Sequence, residues 1–217
     1  MQHQVVENFT PTFVPPITKT PTHLGRIHPE KTPLFHQGDP SKYFYKVRSG
    51  VVMTYRLLKD SQRQITGFCT AGDFLGMTSD GIQHDTAITV TTCNIVRLTR
   101  AEIQADKELQ QELFTKTCLQ LEEAQDMMMT LTKKSASEKV AAFLVMLANR
   151  QKSETNEADI RLPMSRQDIA DFLGMSIETV SRRLTALKSK QVIGLPSRHI
   201  VHIFNMGALK KLAGARS

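Results

Sequence analysis

Three kinds of periodicity follow one another along this chain of 217 residues. Between residues 24 and 100 the apolar positions alternate in short runs. Tyr43, Tyr45 and Val47 lie between the turn signals Gly38-Asp39 and Ser49-Gly50, and similar runs follow at 51–58, 64–68, 86–91 and 94–98. Period-two runs punctuated by glycine turns predict short strands closing into a small antiparallel barrel or roll. From 101 to 132 glycine and proline disappear. Phe114, Thr117, Leu121, Ala124, Met128 and Leu131 then fall on a heptad a/d seam, with Glu112, Glu122, Glu123 and Asp126 off it. That pattern predicts one long helix with a partner-facing stripe, most simply half of a two-fold parallel pair. Met127, Met128 and Met129 read as adaptable core and interface filling rather than a metal or haem site. A further helix is expected over 134–150 with Val140, Phe143, Leu144 and Leu147 inward, and then a polar loop at 151–159. Residues 1–22, rich in Pro and Thr and without periodicity, are expected to be a mobile arm.

The most informative stretch is 164–192, MSRQDIADFLGMSIETVSRRLTALKSKQV. Ser165 precedes a helical run with Asp168 three positions on, which is capping-box spacing. Ile169, Phe172 and Leu173 form its inward face, and Gly174 follows as a helix C-terminus prefers. Ser176 caps a second helix whose Ile177, Val180, Leu184 and Leu187 recur at three- and four-residue steps and should face inward. The opposite stripe is Glu178, Ser181, Arg182 and Thr185. An arginine pairs with guanine acceptors, a glutamate accepts from cytosine and a hydroxyl or methyl meets thymine, so this stripe has the chemistry of base-edge reading. Val192-Ile193, a turn at 194–196 and the run 199–203 suggest a small hairpin, or wing, before a last short helix at 206–212.

Charge sharpens this. Residues 161–217 carry 10 Lys and Arg against 3 Asp and Glu, whereas residues 1–132 carry 13 against 14 and residues 133–160 carry 5 against 4. The whole excess of +7 therefore surrounds the two-helix unit. A basic terminal domain on a neutral body is the electrostatic footprint of nucleic-acid binding. Expected base contacts are Ile177, Glu178, Ser181 and Arg182. Expected contacts to the DNA backbone are Ser165, Arg166, Gln167, Thr179, Arg183, Lys188, Lys190 and Arg198. Other classes fare badly. No apolar run is long enough to span a membrane, and no charged-then-apolar leader opens the sequence. Cys69, Cys93 and Cys118 form no CxxC pair, so neither a disulfide framework nor a zinc site is suggested and a reducing cytoplasm is expected. Gly72, Gly76 and Gly81 do not make a phosphate-loop spacing, and no catalytic triad announces itself.

The order of glycine-punctuated roll, long helix and winged helix-turn-helix resembles the CRP/FNR family of bacterial transcription regulators over about residues 24–212. The resemblance is carried by Gly38-Asp39, Ser49-Gly50, Gly72-Asp73, the AAFL run at 141–144 and above all LPMSRQDIADFLGMSIETVSRRL at 162–184. It implies an α+β chain divided as a mobile arm (1–22), a cyclic-nucleotide-binding-like antiparallel β-roll (23–104), a dimerisation helix (105–132) and a winged helix-turn-helix domain (133–217). The implied dimer seam is Phe114, Thr117, Leu121, Ala124, Met128 and Leu131. The implied partners are a palindromic operator in double-stranded DNA, a second copy of the chain and RNA polymerase. The E-x-x-S-R form of Glu178, Ser181 and Arg182 looks like the FNR branch, which implies TTGA-type inverted repeats.

Regulatory input is read from what the resemblance leaves out. Cyclic-nucleotide-binding members carry an Arg-Ser pair in the phosphate cassette, where the arginine fork holds the cyclic phosphate. Here that position holds Asp85, followed by Thr86. An iron–sulfur cluster of the FNR kind needs four thiolates, three of them close together near the N-terminus. This chain has three cysteines and none before Cys69. The nearest resemblance is therefore the FixK-type subgroup, usually activators in microaerobic respiration and nitrogen fixation, with no cofactor or metal expected. The alternative is a ligand-gated relative, of the haem or nitric-oxide type or with another small molecule, for which His23, His28, His36 and His84 are available. Cys118, beside the seam, is expected to pack rather than to act as a redox switch.

Overall fold

The computed structural model describes residues 24–58, 62–151 and 157–214. The arm at 1–22 lies outside them. The roll is built from β1 (Arg26–His28), β2 (Pro33–Phe35), β3 (Phe44–Ser49), β4 (Val52–Leu57), β5 (Arg63–Cys69), β6 (Phe74–Leu75), β7 (Thr86–Thr89) and β8 (Cys93–Leu98). One sheet has the order β1-β8-β3-β6 and the other β2-β7-β4-β5. Every pair is antiparallel. The five alternating runs correspond to β3, β4, β5, β7 and β8. The strands β1, β2 and β6 are two or three residues long, too short for alternation to show. Val47, Val52, Cys69, Ala87, Cys93 and Ile95 close the core between the sheets. The turn at Gly50 has no substitute. Its φ is +91°, and a Cβ there would lie 2.5 Å from both the Cys93 Sγ and the Thr92 carbonyl oxygen.

The expected single helix over 101–132 is two helices, α1 (Arg100–Ala105) and α2 (Lys107–Lys133). The break needs neither glycine nor proline. Asp106 is extended (φ −116°, ψ 104°), its backbone N–H closes α1, and its carboxylate accepts from the Leu109 N–H at 3.0 Å to start α2. At 27 residues α2 is about 40 Å long. One face lies on its own chain. Leu109 is buried, Glu112 pairs with Lys46 of β3 at 2.6 Å, and Gln120 donates to the Phe74 carbonyl oxygen at 3.0 Å. Met127 and Leu131 pack on the core beyond. The opposite face leaves Phe114, Leu121 and Met128 at 72, 59 and 58% exposure.

The third helix, α3 (Ala136–Arg150), opens on a capping box between Ser135 and Glu138. Then come β9 (Ala158–Arg161), α4 (Arg166–Leu173), α5 (Ile177–Ser189), β10 (Ile193–Ser197), β11 (Ile200–Ile203) and α6 (Met206–Leu212). Two expectations are corrected here. The end of the expected loop at 151–159 is the strand β9, which pairs antiparallel with β11 in a sheet of order β10-β11-β9. Residues 194–196 are not the wing's turn but part of β10, and the turn falls at Arg198-His199. Pro196 is tolerated because β10 is an edge strand whose register shifts between Gly194 and Ser197. Val140, Phe143, Leu144 and Leu147 are buried with Ile169, Phe172, Leu173, Val180, Leu184, Leu187, Ile193 and Val201 in one core, and that core takes in Met53, Ile65 and Phe68 of the roll.

Candidate nucleic-acid interface

The two helices of the reading unit are started and stopped by side chains legible in the sequence. The Ser165 hydroxyl accepts from the Asp168 N–H (3.1 Å), and Asp168 Oδ2 accepts from the Ser165 N–H (2.9 Å) and hydroxyl (2.7 Å). Gly174 ends α4 in the left-handed conformation (φ +61°, ψ 48°), which turns the chain without the strain a side chain would bring. Ser176 then starts α5, accepting from the Thr179 N–H at 3.2 Å. Val180, Leu184 and Leu187 are buried beneath α5, so Glu178, Ser181, Arg182 and Thr185 stand exposed on its outer face.

Ile177 is half-buried and packs against the core, leaving only part of its side chain on that face. Glu178 sits at the helix N-terminus. Its own backbone N–H and the Ser176 hydroxyl, with a smaller contribution from the Arg182 charge, hold its carboxyl below the usual carboxylate range. Arg182 reaches Thr179 Oγ1 at 3.4 Å and is otherwise presented to solvent. Thr179 also shares a hydrogen bond with Ser176 (3.1 Å).

Around this stripe the cations fall into two groups. Lys188, Lys190 and Arg198 are exposed, Arg198 in the wing turn. Arg166 and Arg183 are half-buried, and each has a buried guanidinium nitrogen, Nη1 of Arg166 and Nε of Arg183, with no hydrogen-bond partner among the described residues. Burial pulls the Arg166 guanidinium below its ordinary value. A buried donor left unsatisfied costs about 1–3 kcal/mol. Ser165 and Gln167 are exposed but locally engaged. Ser165 is in the cap, and Gln167 donates to Asp171 Oδ1 at 2.6 Å. Arg63 of β5, which no sequence signal marked, donates to both acids of α4, Asp168 and Asp171. Its partners lie 105 and 108 residues away, beyond the reach of any periodicity.

The roll holds a cavity of about 260 Å³, lined in part by Thr54, Arg56, Thr78, Gln83, His84 and Asp85. Arg56 donates from Nε to Asp85 Oδ1 at 2.9 Å, and the Thr66 hydroxyl donates to the same oxygen at 3.3 Å. A cyclic phosphate entering here would meet a carboxylate whose neighbouring guanidinium is already engaged. The residues present do not fit that group. Burial pushes the Cys69 thiol up to about 12 and raises Cys93, so neither is a ready thiolate, while Cys118 lies exposed on α2. No helix among the described residues is long and apolar enough to cross a membrane.

A helix-turn-helix with a wing and an exposed polar stripe, in a basic terminal domain carried on a β-roll, is the arrangement of a DNA-binding transcription regulator. Comparison with known proteins agrees. Residues 26–105 match the model of the cyclic nucleotide-binding domain, and residues 138–212 match that of the Crp-like helix-turn-helix domain. The chain is 36% identical over 212 residues to the nitrogen fixation regulation protein FixK of Azorhizobium caulinodans, covering 95% of this chain and 84% of the relative. It is 41% identical over 170 residues to the transcriptional activatory protein AadR of Rhodopseudomonas palustris, covering 75% and 70%. The solved structure of FixK2 from Bradyrhizobium japonicum superposes with a TM-score of 0.80 at 29% identity, covering 90% of this chain and all of that one. The chain belongs to the CRP/FNR family of transcription regulators, and within it is similar to the FixK proteins.

Proposed function

We propose that the protein acts as a homodimer on an inverted repeat of the TTGA type, as an activator of genes for microaerobic respiration or nitrogen fixation. Each copy lays α5 in a major groove, with the two half-sites about one helical turn apart. The observation that carries this reading is the exposed row Glu178, Ser181 and Arg182, flanked by the half-buried Arg166 and Arg183 and the exposed Lys188, Lys190 and Arg198. Arg182 would read a G·C pair, Glu178 an adjacent base and Ser181 a thymine, while the flanking cations neutralise phosphates. Dimer formation is supported by the apolar seam of α2. Phe114, Leu121 and Met128 are more than half exposed on a helix whose other face is occupied by its own chain. Activation and the nitrogen-fixation context are supported by the names of the relatives, and exposed faces of the roll would then meet RNA polymerase. The proposed domain limits are those of the sequence reading.

One observation favours a second reading, a regulator gated by a small molecule in the roll. The cavity wall includes Thr78, whose Oγ1 is buried without a hydrogen-bond partner. Selection of bound sites from random DNA, with protein purified and assayed without additives, tests both readings. The first expects enrichment of a TTGA-containing inverted repeat by the bare protein. Enrichment of nothing without an added ligand contradicts it in favour of gating.

A further inference from the structure

Two ionic clasps join the roll to the helices of the DNA-binding domain, one through α4 and one through α3, with an aromatic cluster beside them. On β5, Arg63 donates to Asp171 Oδ2 from Nε (2.8 Å) and Nη2 (2.6 Å), and from Nη2 to Asp168 Oδ1 (2.6 Å). The next residue, Gln64, donates to the Asp171 carbonyl oxygen at 2.7 Å. In the second clasp Arg150, the last residue of α3, donates to the Phe68 carbonyl oxygen and to Glu123 of α2, with Asp73 Oδ2 at 3.5 Å. Beside the clasps Phe68 of β5 packs edge-on to Phe172 of α4 and Phe143 of α3.

Asp168 has two functions in this arrangement. Its Oδ2 closes the cap that begins α4, and its Oδ1 accepts from Arg63. The roll therefore holds the first helix of the reading unit by the residue that starts that helix. The three side chains are 30, 17 and 14% exposed (Arg63, Asp168 and Asp171), so solvent screens the pairs only in part. Since α4 packs against both β5 and α5, this contact is one of two routes that orient α5 relative to the roll, the other running through α3.

We propose that Arg63 is a positioning residue that fixes the orientation of α5 relative to α2, and so sets the half-site spacing that the dimer accepts. The proposal rests on the two-copy reading above. Engagement of the second half-site is intramolecular, so its effective concentration depends on how closely the tethered head matches the site. A rigid head gives a high maximum at one spacing and little elsewhere, whereas a loosened head lowers the maximum and broadens it. Without the guanidinium, Asp168 and Asp171 are left as largely buried carboxylates facing β5 with no counter-charge, and their demand for water loosens α4 from β5.

The test compares the wild-type protein with Arg63→Met and Arg63→Lys on three duplexes, by fluorescence anisotropy. These are the selected inverted repeat, the same repeat with one base pair inserted between half-sites, and a single half-site. For Arg63→Met the ratio of affinities between the first two duplexes should contract about tenfold, with single half-site affinity within about twofold of wild type. Arg63→Lys, whose ammonium lacks the two-pronged geometry, should fall between. An unchanged ratio in Arg63→Met overturns the proposal. So does a half-site affinity that falls as far as the repeat's, because Arg63 would then only help the reading unit fold. If the wild-type protein itself prefers the repeat no more than the half-site, the two-copy reading fails, and this proposal with it, before any variant is compared.

Discussion

Phe68 and Phe172 meet with ring centroids 5.2 Å apart and planes inclined at 62°, one from the roll and one from the helix-turn-helix. The contact makes the core of the DNA-binding unit continuous with strands β4 and β5. Phe68→Ala should therefore cost about 3–5 kcal/mol, the range for removing a buried aromatic ring. It should also split one unfolding transition into two as the units uncouple. Calorimetry of wild type and variant reads both effects. A single transition shifted by less than about 1 kcal/mol would mean that the ring carries no coupling.

The flanking arginines make a separable prediction. Arg166→Ala and Arg183→Ala should weaken binding to cognate and scrambled DNA alike, and each should reduce the magnitude of the slope of log affinity against log salt by about 1. A loss confined to the cognate sequence would move these residues from the phosphates to the bases.

Leu121→Glu puts a charge in the middle of the exposed stripe of α2. Sedimentation should show monomers. Affinity for the inverted repeat should fall by about a hundredfold or more, as the second half-site ceases to be held nearby. Unchanged mass would contradict the assigned seam.

Cys69 makes the pH dependence of stability predictable in sign. Burial raises its thiol from an ordinary value of 9.0 to about 12. In the folded state it stays neutral where the unfolded chain ionises. Its contribution is thus fully present below pH 9 and is lost as pH rises from there toward 12. The urea midpoint of the wild type should fall more steeply over that interval than that of Cys69→Ala. Parallel curves would contradict the assignment. At pH 8 in the native protein an alkylating reagent should label Cys118 before Cys69 or Cys93.

Local chemistry was legible wherever cause and effect lie within a few residues. Ser165-x-x-Asp168, Gly174 and Ser176 announced two helices and the turn between them, and the three-four spacing of Val180, Leu184 and Leu187 announced which face of α5 is free. Asp106 escaped because a capping aspartate in a run of helix-formers carries no stronger local mark than any other acid. The wing turn was displaced because Gly194 and Pro196 are turn residues by composition, whereas here an edge strand with shifted register accommodates them. Arg63 with Asp171, and Arg150 with the Phe68 carbonyl oxygen, join elements 108 and 82 residues apart. Nothing in the charge of one residue names its distant partner, so the joint between roll and reading unit emerges only from the fold.

The central claim is that α5 reads bases through its exposed stripe, and Arg182 tests it most directly. Arg182→Ala should cost about 1–3 kcal/mol on the selected inverted repeat, relax the preference at one base pair of each half-site, and leave binding to scrambled DNA nearly unchanged. Equal losses on cognate and scrambled DNA, with no change in preference at any position, would contradict it.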